Sequence, residues 1–184
     1  MLRAFAAALV GLAAVQAAQS VHVRDIDERS RSMLAPGPGR FEVVFFLSPD
    51  CPISNRYAPE IARICREYAP KGAHCFTIYP DVADAAVVRR HRDEFGFPAS
   101  IPAILDRDHS VVRAVGARVT PEAALYSSAG RLYRGRIDHL YVDVGRSRRE
   151  ATRRDVRLAL DAALSGRSIS QPETEAVGCS IQQR

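Results

Sequence analysis

Residues 41–55 read Phe41-Glu42-Val43-Val44-Phe45-Phe46-Leu47-Ser48-Pro49-Asp50-Cys51-Pro52-Ile53-Ser54-Asn55. The run from Phe41 to Leu47 is nearly all apolar and rich in aromatic and β-branched side chains, the pattern of a strand buried on both faces. Ser48-Pro49-Asp50 breaks it with turn chemistry. Beyond Pro52 the apolar residues Tyr57, Ile61, Ile64, Cys65 and Tyr68 recur at helical spacing, with Pro59 expected to kink the helix or delay its regular start. Cys51 therefore falls at a helix N-terminus, where unpaired N–H groups and the helix dipole stabilise a thiolate. Asp50 pulls the other way through its charge, and the helix end prevails if Asp50 faces solvent. A reactive pair usually takes two cysteines separated by two residues, but here Ser54 fills the second place.

Outward from this stretch, Gly72 closes the first helix and Ala73 to Tyr79 reads as the next strand. A second helix is expected over 83–95, a short strand over 103–105 and a brief helix over 110–115. Residues 122–127 and 131–136 read as two strands joined by a tight turn at Ser128-Ala129-Gly130. The last helix is placed over 148–164, with Val156, Leu160 and Leu164 on one face and Gly166 as its stop. The strand–helix alternation implies an α/β fold whose parallel portion is built by right-handed crossovers, with an antiparallel hairpin at one edge.

The organisation expected is a signal peptide over 1–18, a polar lead-in over 19–37, one domain over 38–166 and a flexible cysteine-containing tail over 167–184. Arg3 precedes an apolar stretch from Ala4 to Ala14, and cleavage is expected near Ala17 or Ala18. A retained membrane anchor and a merely apolar N-terminus are the other readings of that segment. Export, to a periplasm or the extracellular space, would let disulfides persist. The four cysteines (Cys51, Cys65, Cys75, Cys179) allow three pairings if all are used. The net charge is +5, but Lys71 is the only lysine among 26 basic residues. The densest basic run, from Arg146 to Arg154, has no interleaved aromatic residues for base stacking, so it reads as a solvated helix face with no nucleic-acid partner.

Together these segments resemble the thioredoxin-like superfamily, in particular exported redoxins related to peroxiredoxins and thiol–disulfide interchange proteins. The residues that carry the resemblance are Cys51-Pro52-Ile53-Ser54-Asn55 after its strand, Tyr79-Pro80-Asp81, Val119-Thr120-Pro121 before the hairpin, and Tyr133 to Asp138. It implies a thioredoxin-like fold, a central mixed sheet flanked by helices, over about residues 38–166, and a cis bond before Pro121. It also implies thiol redox work in redox homeostasis or antioxidant defence, with Cys51 as nucleophile and protein disulfides or a hydroperoxide as substrate. Ser48, Pro52, Ser54, Thr120 and Pro121 would shape the pocket, and an electron donor would be required. No cofactor or resident metal is expected.

Departures from the pattern are specific. Ser54 replaces the resolving cysteine, and Phe45 stands where thioredoxins carry a buried aspartate. Val44 stands where peroxiredoxins carry a proline. Pro121 occupies the place of their catalytic arginine, for which Arg118 is the nearest substitute. Cys179, in Gly178-Cys179-Ser180, is the internal candidate for a resolving thiol, or else for a static clasp onto Cys51. Cys65 and Cys75 read either as packed core thiols or as a buried disulfide. A non-catalytic binding domain on the same fold, and copper delivery using His91 or His139, are the alternative functions.

Overall fold

The computed structural model describes residues 20–182, so the segment read as a signal peptide lies outside the described residues. Eleven strands and four α-helices are found there. The central sheet has the order β5-β4-β3-β7-β8. Its strands are β3 (Phe41–Phe46), β4 (Ala73–Tyr79), β5 (Ala103–Leu105), β7 (Glu122–Ser127) and β8 (Gly130–Gly135). The strands β3, β4 and β5 run parallel, and β7 and β8 are antiparallel additions beside β3. Helices α1 (Pro52–Tyr68), α2 (Ala85–Glu94), α3 (Ser110–Val115) and α4 (Asp155–Leu164) complete the α/β architecture.

The period of two along β3 divides the core. Val43, Phe45 and Leu47 join one apolar cluster with Ile61, Ile64 and Leu160 from α1 and α4. Val44 and Phe46 join the other, with Val111 and Val115 of α3. This is why the strand reads as continuously apolar: both of its faces are covered. Cys65 of α1 and Cys75 of β4 are both buried and bonded to each other, with Cα atoms 5.8 Å apart. The packed-thiol and disulfide readings of these residues thus merge.

Three expectations are corrected. The lead-in contributes a hairpin, β1 (Val21–Arg24) against β2 (Ser30–Met33), and buries Met33 and Leu34 in the α3 cluster. Glu42 ties its end down by accepting a 2.6 Å hydrogen bond from the Leu34 amide, and burial raises the Glu42 pKa. The last helix begins at Asp155, not Arg148. The preceding basic run instead forms a small hairpin, β9 (Tyr141–Asp143) and β10 (Arg146–Ser147). The backbone of that run is used elsewhere: the Arg148 amide donates to Leu140 and the Arg153 carbonyl accepts from His139.

The third correction concerns the tail, which is docked and not loose. Thr174 is bonded through its backbone to Arg134, and Glu173 pairs with the Arg134 guanidinium. Strand β11 (Cys179–Ser180) pairs antiparallel with β6 (Val119–Thr120), and Ile181 is only 3% exposed. Backbone hydrogen bonds are indifferent to side-chain polarity, so a polar segment can be held as firmly as an apolar one.

Phe45 lies at the centre of the sheet, fully buried. Replacing it with alanine should destabilise the fold by about 3–5 kcal/mol through lost transfer energy and a residual cavity. Urea midpoints at a fixed m-value would measure this, and a change under about 1 kcal/mol would contradict the packing described.

Candidate functional site

The site forms where the C-terminal end of β3 runs into α1, facing the segment that links β6 to β7. Cys51 is the N-cap of α1, in an extended conformation (φ −92°, ψ 110°) followed by Pro52 in the first turn. Its carbonyl accepts from the Asn55 amide at 3.0 Å, the first bond of the helix. Asp50 is exposed, so water screens the charge that would oppose a thiolate. Ser54, in the place of the missing cysteine, is buried, and its hydroxyl accepts from the Ser48 amide at 3.3 Å. The hydroxyl therefore organises the turn ahead of Cys51.

The peptide bond between Thr120 and Pro121 is cis. The Thr120 carbonyl oxygen lies 3.0 Å from Cys51 Sγ, which places β6 directly against the thiol position. The tail covers both. Cys179 is paired in register with Thr120 and forms a disulfide with Cys51, the Cα atoms 6.0 Å apart and 128 residues apart in sequence. Cys51 is 1% exposed under this cover, whereas Cys179 is half-buried. The Ile181 amide donates to Arg118 O at 2.9 Å, and the Gln182 amide donates to the Asp81 carboxylate at 3.1 Å.

Of the residues expected at the site, Ser48, Pro52, Ser54, Thr120, Pro121 and Cys179 all surround Cys51 or the turn that carries it. Arg118 does not. It is exposed, lines a groove with Glu122, Arg134 and Glu173, and meets the tail through its backbone. The histidines weighed as copper ligands have other partners. His139 faces the Thr152 hydroxyl and the Arg148 guanidinium. Among the described residues there is no group of three or more His, Cys, Asp or Glu side chains placed to hold a metal.

His91 belongs to a buried network that sequence reading missed. Asn55 donates from Nδ2 to the Pro49 carbonyl at 2.9 Å, which leaves its Oδ1 to accept from His91 Nε2 at 3.0 Å. His91 Nδ1 then accepts from the Tyr79 hydroxyl at 3.1 Å. The chain of bonds ties α2 and β4 to the turn before Cys51, and it requires a neutral imidazole with its proton on Nε2. Burial, assisted by the nearby Arg92 charge, lowers the His91 pKa from 6.5 to about 4. The sequence offered His91 only as a lone helix histidine and a candidate copper ligand, and nothing in its spacing pointed to Asn55 or Tyr79.

The unfolded chain takes up this proton near pH 6.5 and the folded one only near 4, so stability falls as pH drops through that window. The loss should reach at most about 1.4 kcal/mol per pH unit. Urea midpoints of His91→Gln should show a shallower slope between these values; an unchanged slope would exclude His91 as the group responsible.

No family model matches the chain, and no curated protein matches it in sequence. Solved structures do. An uncharacterized conserved protein from Geobacillus kaustophilus superposes with a TM-score of 0.80 at 23% identity, over 92% of this chain and 91% of that one. A hypothetical protein from Sinorhizobium meliloti gives 0.78 at 24% identity, over 91% and 93%. A thiol:disulfide interchange protein of the thioredoxin family from Chlorobium tepidum gives 0.58 at 15% identity, over 80% and 95%. At these identities the likeness establishes architecture: the chain has the thioredoxin-like fold.

Proposed function

We propose that the protein is an exported thiol–disulfide oxidoreductase whose working couple is Cys51 and Cys179. The observation that carries this reading is the pairing of a helix-N-terminal cysteine with a cysteine delivered by a separate, backbone-docked strand beside the cis Thr120–Pro121 bond. A structural staple needs no helix N-terminus. A redox couple gains from it, because the lower-pKa thiol is the better leaving group and the more abundant thiolate. The nucleophile expected at Cys51 is thus joined by Cys179, the tail cysteine expected as its resolving thiol or clasp.

The direction of attack follows from access. A reductant thiolate reaches half-buried Cys179 before buried Cys51, forms a mixed disulfide there, and expels the Cys51 thiolate. A second thiol of the reductant then releases Cys179. The freed Cys51 attacks a protein disulfide, and Cys179 resolves the product. Disulfide exchange is preferred to peroxide reduction on chemistry. Splitting a peroxide calls for a hydrogen-bond donor at the leaving oxygen, and the polar neighbour of Cys51 Sγ is an acceptor, the Thr120 carbonyl. Export rests on the N-terminal segment. No helix among the described residues is long and apolar enough to cross a membrane.

Cys51→Ser should abolish reduction of a protein disulfide by the dithiol form. Cys179→Ser should retain the first attack and accumulate a mixed disulfide on Cys51, read as added mass on non-reducing gels and by mass spectrometry. Equal activity in all three proteins would refute the couple. A partner still bound by Cys51→Ser, with no exchange by the unmodified protein, would point instead to a binding module.

A further inference from the structure

The tail shows more than where the second thiol comes from. On the tail's side its bonds to β6 and to the residue before it are all main-chain: Cys179 opposite Thr120, whose hydroxyl also donates to the Cys179 carbonyl, Ser180 opposite Val119, and the Ile181 amide on Arg118 O. Any extended segment can make them. The side-chain positions are not equally permissive. A Cβ placed on Gly178 would fall onto the carbonyl carbon and oxygen of Thr120 and within 3.1 Å of Pro121 N. These are backbone atoms of a buried turn and cannot swing aside as a flexible side chain does. Ser180 is exposed and unconstrained, whereas Ile181 is buried in the cluster with Val111, Val115 and Ala117.

Resting on the exchange activity proposed above, we infer that β6 is a strand-reading groove for substrate segments of the pattern glycine–cysteine–any residue–apolar, and that the tail is its built-in occupant. Cys179 and a substrate cysteine use the same seat, so reduction of the Cys51–Cys179 bond opens the groove. The Cys51 thiolate attacks the cysteine sulfur of a substrate disulfide. The Cys51–substrate S–S bond forms, the original S–S bond breaks, and the departing thiolate takes the electron pair and then a proton from water. The tail returns, and the Cys179 thiolate attacks Cys51 Sγ, restoring the internal disulfide and releasing the substrate thiolate. The dithiol form is oxidised as the substrate is reduced, and a dithiol reductant regenerates it. The fixed glycine sets the specificity, since one Cβ meets rigid backbone whatever side chain follows it.

The test uses the full chain, reduced and freed of reductant, with hexapeptides whose cysteine carries 5-thio-2-nitrobenzoate, a coloured leaving thiolate. The reference peptide is valine-glycine-cysteine-serine-isoleucine-glutamine. Replacing its glycine with alanine should slow release at least about tenfold, the rate equivalent of a modest overpacking cost. Replacing its isoleucine with aspartate should slow it comparably. Cys51→Ser protein serves as the background. If the glycine and alanine peptides react within a factor of about two, both through Cys51, the pattern is wrong and the exchange activity stands. If no peptide reacts through Cys51 while all react with free cysteine, the exchange activity falls and the pattern with it.

Discussion

The short antiparallel ladder between Val119–Thr120 and Cys179–Ser180 is the contact on which the site depends. It sets the register of the tail, brings Cys179 to Cys51, buries Ile181 and closes the pocket over the helix N-terminus. Two residues per strand are a small ladder. It holds because both sides are pinned independently: β6 by the sheet that follows Pro121, and the tail by Thr174 and Glu173 on β8 and by the disulfide itself. The sulfur bond is the pin nearest the ladder, while Thr174 and Glu173 hold the base of the tail on β8.

The rest of the fold positions the partner thiol. A strand covered on both faces ends at Phe46, a turn organised by Ser54 and Asn55 follows, and the cysteine caps the start of α1. The Asn55–His91–Tyr79 network then links that turn to α2 and β4 by buried bonds, which are stronger away from water and costly to leave half-made. Cys51 at a helix N-terminus facing Cys179 on a separately anchored strand differs from two cysteines on one helical turn.

Much of this was legible in the residues. Phe41 to Leu47 could be little else than a doubly buried strand, and Cys51 before Pro52 marked the helix start through turn chemistry and apolar spacing. Cys179 was legible as a partner for Cys51, resolving thiol or clasp, because Ser54 fills the usual second place. What escaped has a common cause. Ser30-Arg31-Ser32-Met33 is a strand whose apolar alternation is too short to register, and the tail is held mainly by backbone bonds that leave no pattern in side chains. The basic run from Arg148 looked helical by continuity with Val156 and Leu160. Its backbone groups were already taken by Leu140 and His139. The Gly178 constraint is invisible without the Thr120 carbonyl beside it, because an isolated glycine reads only as flexibility.

The proposed couple requires that the Cys51–Cys179 bond be reducible in the folded protein while Cys65–Cys75, both of whose cysteines are buried in the core, is not. Equilibrating the folded protein across a series of dithiol redox buffers, trapping thiols with an alkylating reagent and counting each cysteine by mass spectrometry tests this directly. Cys51 and Cys179 should titrate together as a two-electron couple in the folded protein, with Cys65 and Cys75 still unalkylated. The couple is contradicted if both disulfides survive until the protein unfolds, or if Cys65 and Cys75 are reduced first.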